Sequence, residues 1–459
     1  MPFFIAVGKR VIPRWLFSRL QPFYHRFLAW GAAAWYRHPS RAMLVIGITG
    51  TNGKSTVVEF THHIFARAGI AVASISSLRA RVNESEERNE SGMTMPGRLA
   101  LQRFLARAKA AGCRAAIVEV TSEGIAQYRH RGIDFDIAAL TNLAPEHIER
   151  HGSFNAYRAA KAELFSSLAG SLRKDADIKK IIVVNGDDEH AEYFLKFSAD
   201  QCIVYQAAGS RPCLPAGRQQ AMPTGRQAEK NFPDTCYVLY ATNLKFLEHG
   251  GSFDLENISI QINLPGAFNV MNALCAAAIA RSQGIPKETI KKAIEEIKII
   301  PGRMEYMQKN PFAAVVDYAH TPDALEKVYQ TVKGEGKLIC VLGAAGGGRD
   351  KWKRPELGRI ASSYCNEIIL TNEDPYDENP KEILHQIAQG LTSRFSRYSF
   401  VLNRREAIER ALRAAKEGDA VIITGKGAEP WMHGENGKKI KWDDRETTRE
   451  ILDTLKQKR

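Results

Sequence analysis

The chain has 459 residues, 44% hydrophobic and 25% charged, and its 64 Lys and Arg against 51 Asp and Glu give a formal net charge of +13. That length accommodates two to four domains, and that composition excludes a disordered chain, a fibrous repeat and a polytopic membrane protein. The basic excess calls for an anionic partner without naming it: nucleic acid, nucleotide, phosphorylated substrate or membrane.

The first element is a basic and aromatic segment, residues 1–43. It holds Lys9, Arg10, Arg14, Arg19, Arg26, Arg37 and Arg41 and no acid, so seven of the thirteen excess charges sit here. Arginines interleaved with Trp15, Phe23, Phe27, Trp30 and Trp35 predict an amphipathic helix, either at a membrane interface or packed on the next domain. No apolar run reaches the ~18 residues of a spanning helix, and no clean apolar core marks a signal peptide.

Residues 44–56, LVIGITGTNGKST, then read as a buried strand, a Gly-rich turn and a helix start. This is a phosphate-binding context: turn amides and a helix N-terminus cradle phosphates. Lys54 would reach the β- and γ-phosphates and Ser55 would ligate Mg²⁺. The strict G-x-x-x-x-G-K-[ST] spacing is not met, because Ile48 stands where its first glycine belongs. The next strand, Ala115–Val120, carries Glu119 near its C-terminal edge, where a metal ligand belongs. The strand around 136–140 leads to Glu146, His147 and His151, and a shared Mg²⁺ site over Glu119 and His147 is expected. Lys161, on the following helix, reads by itself as a solvated lysine.

A Gly- and Pro-rich stretch with two near-copies, at 214–219 and 222–227, predicts a surface insertion over 207–231 carrying a further +3. The remainder of the chain is nearly balanced. Strands at 313–317, 337–342, 367–371 and 420–424 alternate with helical stretches such as 324–332, predicting a second α/β unit. The seven cysteines contain no C-x-x-C pair, so no disulfide framework or zinc ribbon is expected, and a reducing cytoplasm is.

Nine segments, in order, resemble the Mur ligase family: TGTNGKST (49–56), VEVTSEGIAQYR (118–129), TNLAPEHIERHG (141–152), YRAAK (157–161), LPGAFNVMNA (264–273), IPGRME (300–305), VVDYAHTPDAL (315–325), GAAGGGRDKWKRP (343–355) and ITGKGAE (423–429). The DYAHTPD, GGGRD and GKG-x-E stretches look most like the MurE-type branch, which adds the third residue of the peptidoglycan stem peptide. The resemblance implies an α/β fold: a P-loop central domain with a mainly parallel sheet (44–299), a C-terminal Rossmann-like domain (300–459) and a short helical N-terminal segment. It implies an ATP-dependent amide ligase. A substrate carboxylate attacks the γ-phosphate, ADP leaves, and an amine attacks the acyl phosphate, so that positioning and charge neutralisation carry the catalysis.

By position, the resemblance assigns Lys54, Glu119, His147 and Lys161 to catalysis. ATP falls to Gly50, Thr51, Asn52, Gly53, Lys54, Ser55 and Thr56, with Asn269, Arg303, Asp317 and His320. Mg²⁺ falls to Ser55, Glu119 and His147, and to Lys161 once carbamylated, a change that turns a cation into a carboxylate-like ligand. Thr94, Pro96, Thr121, Gln127 and Arg129 match positions contacting the muramoyl-peptide, and Gly425 and Glu429 match positions gripping the incoming amino acid.

The chain departs from the family at the amino-acid-selecting D-N-P-R. It reads Glu373-Asp374-Pro375-Tyr376, so Tyr376 replaces a carboxylate-clamping arginine. Glu373 and Asp374 would favour a cationic side chain, leaving L-Lys beside meso-diaminopimelate. The family's UDP-binding N-terminal domain is longer than 43 residues, so residues 1–43 read as a truncated form of it or as membrane-proximal. The expected partners are UDP-N-acetylmuramoyl-dipeptide and a free amino acid, with no nucleic acid, and a cytoplasmic, monomeric enzyme with peripheral membrane contact through residues 1–43. The alternatives are a polyglutamate- or cyanophycin-type ligase of the same fold, or a membrane-associated nucleotide-binding scaffold.

Overall fold

The computed structural model describes residues 14–175, 177–209, 236–247, 249–393 and 395–457. Most of the 207–231 insertion and the first thirteen residues therefore lie outside the described residues. The chain opens with helix α1 (Arg14–Trp35). Its Ala29, Ala32 and Ala33 are buried, while Phe23, Phe27 and Trp30, at i, i+4 and i+7, are 69%, 67% and 64% exposed. The apolar residues of this helix thus face opposite ways: the small ones inward, the aromatic ones toward solvent.

An eleven-stranded sheet follows. Its strands are β1 (Leu44–Thr49), β2 (Val72–Ile75), β3 (Arg79–Val82), β4 (Ser85–Arg88), β5 (Ala115–Glu119), β6 (Ile137–Leu140), β7 (Ile181–Asn185), β8 (Gln201–Ala207), β9 (Cys236–Leu247), β10 (Gly250–Leu255) and β11 (Ile258–Ile262). Their order is β11-β10-β9-β8-β7-β6-β1-β5-β2-β3-β4. The span from β9 to β2 is parallel, and antiparallel strands finish both ends. The central strands are unbroken apolar runs because helices cover both faces. Phe60, Ile64, Leu274 and Ile279 pack on one face, and Leu105, Phe165 and Phe194 on the other.

The helices that matter for the site are α2 (Lys54–Arg67), α3 (Arg98–Ala110), α4 (Ser122–Ala126), α5 (Ile148–His151), α6 (Phe154–Gly170) and α7 (Ala267–Ser282). β5 and β6 flank β1 on opposite sides. Their C-terminal ends therefore frame the switch-point crevice in which open α/β sheets bind ligands.

The second sheet comprises β12 (Glu305–Gln308), β13 (Ala313–Asp317), β14 (Leu338–Leu342), β15 (Glu367–Leu370), β16 (Tyr398–Phe400) and β17 (Ala420–Thr424), ordered β12-β13-β17-β14-β15-β16 and parallel except for β12. Helices α8 (Pro322–Val332), α9 (Lys353–Tyr364), α10 (Arg404–Ala414) and α11 (Asp444–Gln457) cover it. The fold is the α/β class expected from the sequence.

The cysteine expectation is corrected. Cys202 pairs with Cys236 and Cys340 with Cys365 in disulfides, while Cys113 and Cys275 are free. Sequence spacing misses these pairs because the sheets create them: Cys202 and Cys236 sit directly opposite each other on parallel β8 and β9.

Candidate active site

The β1–α2 turn builds the site's floor. Gly53 has φ 82° and caps α2. A Cβ there would lie 2.2 Å from Asn272 Oδ1 of α7, so only glycine lets α7 close against the turn. Lys54 Nζ donates to the Thr51 carbonyl at 2.8 Å. Burial holds its pKa below the ordinary range, against the pull of Glu119. Ser55 Oγ donates to Glu119 Oε2 at 2.9 Å, and the same oxygen accepts from the Ser77 amide at 2.8 Å.

Lys161 of α6 is not a solvated lysine. It is 2% exposed, donates to the Gly50 carbonyl at 2.7 Å and lies 4.6 Å from the Tyr157 ring centroid. Burial, then the Lys54 charge, pushes its pKa well below the usual lysine range. His147 stands in the loop after β6, at the N-cap of α5, its Nδ1 3.6 Å from Glu123. Burial and the Arg349 and Lys353 charges keep it neutral.

The second sheet closes over this floor through its own strand ends. Asp350 accepts from the Ile148 and Glu149 amides at 3.0 Å each, satisfying the start of α5 from the other side of the cleft. Lys353 Nζ donates to Glu146 Oε1 at 2.8 Å with both side chains buried. Asn52 Nδ2 donates to Asp323 at 3.0 Å, and Arg88 reaches Asp443 at 2.6 Å.

A cavity of about 820 Å³ runs between the two sheets. Gly50 to Thr56, Glu119, His147 and Lys161 line it, with Asn269 of α7 on the same side, Arg303, Asp317 and His320 across the cleft, and Thr94, Thr121, Gln127 and Arg129 also in the lining. Burial and the Lys353 charge hold the His320 imidazole neutral. Glu429 also lines the cavity and accepts from Tyr318 Oη at 2.9 Å. The sequence reading missed Tyr157, Tyr318 and Arg349, all of which line it. The cations of GGGRDKWKRP were the signal for Arg349.

Four expected contacts do not reach this cavity. Asp374 spends its carboxylate on Lys426 Nζ and the His433 amide, each at 2.8 Å. Tyr376 stacks on His433, centroids 5.0 Å apart. Gly425 packs on Glu373, where a Cβ would lie 2.4 Å from its carboxylate. Pro96 lies just ahead of α3, behind Met95. Glu373 and Asp374 are both buried, and neither is in the cavity's lining.

For Mg²⁺, the Ser55–Glu119 pair supplies the hard oxygens such an ion takes, and Glu146 keeps a buried Oε2 without a partner. Among the described residues no three His, Cys, Asp or Glu side chains cluster tightly enough to hold a metal alone. The residues fit an ion that takes its remaining ligands from phosphate and water.

The chain matches the Mur ligase middle domain over residues 48–280 and the Mur ligase, glutamate ligase domain over 302–427. It is 34% identical over 427 residues to the UDP-N-acetylmuramoyl-L-alanyl-D-glutamate--2,6-diaminopimelate ligase of Halalkalibacterium halodurans, covering 92% of this chain and 80% of that one. It is 36% identical over 419 residues to UDP-N-acetylmuramyl-tripeptide synthetase 2 of Oceanobacillus iheyensis, covering 90% and 78%. A solved diaminopimelate ligase of the same description superposes with a TM-score of 0.55 at 28% identity, covering 90% of this chain and 79% of that one. A pseudomurein peptide ligase type C from Methanothermus fervidus shares the fold, with a TM-score of 0.62 at 20% identity, covering 90% and 79%.

Proposed function

The chain belongs to the Mur ligase family, and from that premise we propose that it joins a diamino acid to UDP-N-acetylmuramoyl-L-Ala-D-Glu in peptidoglycan synthesis. It is an ATP-dependent, ADP-forming ligase. The observation that carries the substrate reading is that one continuous cavity is lined both by the Lys54 turn and by Gln127 and Arg129. In this reading Lys54 and the turn amides hold the triphosphate, and Arg303 and His320 meet the nucleotide across the cleft. The acceptor carboxylate attacks the γ-phosphorus, ADP departs, and the amine of the incoming amino acid displaces phosphate. Neutral His147 and His320 add no positive charge that would trap the carboxylate. Glu429, Tyr318 and Arg349 form the wall that meets the incoming amino acid.

Ser55, Glu119 and His147 would hold Mg²⁺, which supplies charge neutralisation on the phosphates when bound. We propose that Lys161 is carbamylated. Its depressed pKa supports this, since only the neutral amine attacks CO₂, releasing one proton and leaving a carboxylate-like group. The remaining N–H still donates to Gly50. A carbamate carbon resonance from ¹³C-bicarbonate should appear and be absent in Lys161→Arg; its absence in both defeats the modification.

The assay that tests the function is ADP release with UDP-N-acetylmuramoyl-dipeptide and a panel of amino acids. Meso-diaminopimelate, the amino acid named for the relatives, and L-Lys come first. No release with any amino acid overturns the reading. We also propose a cytoplasmic monomer whose α1 touches an anionic membrane surface. The exposed Phe23, Phe27 and Trp30 and the acid-free first 43 residues support that contact. Among the described residues no helix is long and apolar enough to cross a membrane. Flotation of the protein with anionic vesicles should bring it to the lipid layer, and its staying in the dense fraction sinks the contact.

A further inference from the structure

Three guanidinium groups gather on the 127–129 segment where α1 packs on α3: Arg129 lines the cavity, while Arg26 and Arg98 touch the same segment from outside its lining. Arg129 donates to the Met95 carbonyl and, at 2.8 Å, to Gln127 Oε1. Arg98, the first residue of α3, donates to the Gln127 carbonyl, and its Nε is buried without a partner. Arg26 of α1 stacks over Tyr128, 4.9 Å from the ring centroid. The alanine face of α1 fixes this geometry, since a Cβ on Gly132 would lie 2.7 Å from Ala33 Cβ.

None of the three forms an ion pair with a carboxylate among the described residues. The acid on that side of the cavity, Glu123, is already engaged by Arg150 at 2.7 Å and lies 3.7 Å from Arg349. His25, whose Nδ1 is buried without a partner, is kept neutral by burial and by Arg98 and Arg129. Arg98 and Arg129 repel each other in partial burial, with only Glu123 favouring the charge on Arg129, and an anion joining them would relieve that repulsion. Forked guanidiniums match phosphate oxygens in geometry, and three of them suit a group with two phosphates better than a single carboxylate.

We infer that Arg26 and Arg98, together with Arg129, form a subsite for the diphosphate that links the acceptor sugar to its carrier. This rests on the ligase reading above and adds α1 to the substrate-binding surface. The carrier on the far side of the diphosphate is a nucleoside or a polyprenyl lipid; the exposed aromatic face of α1 lies on the same helix as Arg26.

The test uses the full chain and two acceptors: UDP-N-acetylmuramoyl-dipeptide, and the same muramoyl-dipeptide with a free anomeric hydroxyl. In the wild type the KM of the phosphate-free acceptor should be at least about tenfold higher, a conservative figure for losing charge-assisted contacts. In Arg26→Gln and Arg98→Gln that ratio should fall toward one. Misfolding lowers the active fraction for both acceptors alike and leaves the ratio untouched, so a ratio that stays at its wild-type value overturns the subsite. A polyprenyl-diphosphate-linked acceptor in phosphatidylcholine vesicles gives the second arm. A variant-sensitive KM there assigns the lipid carrier, one confined to the UDP arm assigns the nucleotide, and insensitivity in both overturns the proposal. If no acceptor turns over, the ligase reading fails by itself, and calorimetric binding of UDP-N-acetylmuramoyl-dipeptide decides the subsite. A tenfold weaker Kd in Arg98→Gln supports it, and an equal Kd overturns it.

Discussion

Glu373 shows how one buried group sets a pH dependence. It is 5% exposed with Oε2 unpartnered. Burial raises its pKa to about 7, Asp374 adding to the effect while Arg404 and Lys426 oppose it. Between the ordinary 4.5 and about 7 the folded protein keeps this proton and the unfolded chain releases it. Stability from this site is therefore highest at acid pH, falls as pH rises through that window, and is flat above it. The span corresponds to about 3 kcal/mol at most, at ~1.4 kcal/mol per pKa unit. Melting temperatures at pH 5 and pH 8 should differ less in Glu373→Gln than in the wild type; equal differences refute the assignment. Beside it in the fold, Arg404 donates twice to Asp444, at 2.8 and 2.7 Å, both groups fully buried. Asp444→Ala strands the guanidinium and should cost about 3–5 kcal/mol in denaturant unfolding.

At the scale of elements, the loop–helix joint at α5 is built from two sheets at once. The α5 amides are satisfied by Asp350, and Glu149 Oε1 returns the contact by accepting from the Lys351 amide at 2.6 Å. Asp350→Ala should leave α5 uncapped and His147 misplaced. Expected is a loss of kcat on the order of tenfold to a hundredfold, the scale of a misplacement near 1 Å, with little change in melting temperature; an unchanged kcat would count against this joint. This element also marks how far the sequence could be read. The Lys54 turn was legible because strand, glycine turn and helix start are local signals. The buried state of Lys161 was not, since YRAAK is an ordinary helix and the approach of Gly50, 111 residues earlier in the chain, is what the local pattern does not encode. Asp374 looked free because its partner, Lys426, lies 52 residues on. The disulfides were hidden for the same reason: Cys202 meets Cys236 only because β8 and β9 are neighbours, and Cys340 of β14 meets Cys365 only where the chain leaves α9 beside that strand. The helical N-terminal segment was legible, but which of its faces is exposed depends on α3 and Gly132.

At the scale of the whole molecule, the link between the sheets is wedged rather than free. A Cβ on Gly302 would lie 2.3 Å from the Ala428 amide, so the crossing between the two sheets rests directly on the loop after β17. From there a continuous set of contacts runs from the cleft wall into the second domain. Arg303 lies 4.3 Å from the Tyr318 ring centroid, Tyr318 donates to Glu429, and Lys426 joins Glu429 to Asp374. On the proposed reading, in which Arg303 meets the nucleotide and Glu429 the amino acid, these contacts join the two sides, and their occupancies should be thermodynamically coupled. Whatever factor a non-hydrolysable ATP analogue applies to the Kd of the amino acid, the amino acid must apply to the Kd of the analogue. Tyr318→Phe deletes the central hydrogen bond, and it should shrink both factors equally, by a few-fold. Calorimetry in both orders of addition checks this: coupling that survives the substitution undiminished would mean that the two occupants communicate by another route. In either case the order of addition leaves the equilibrium untouched and alters only how fast it is reached.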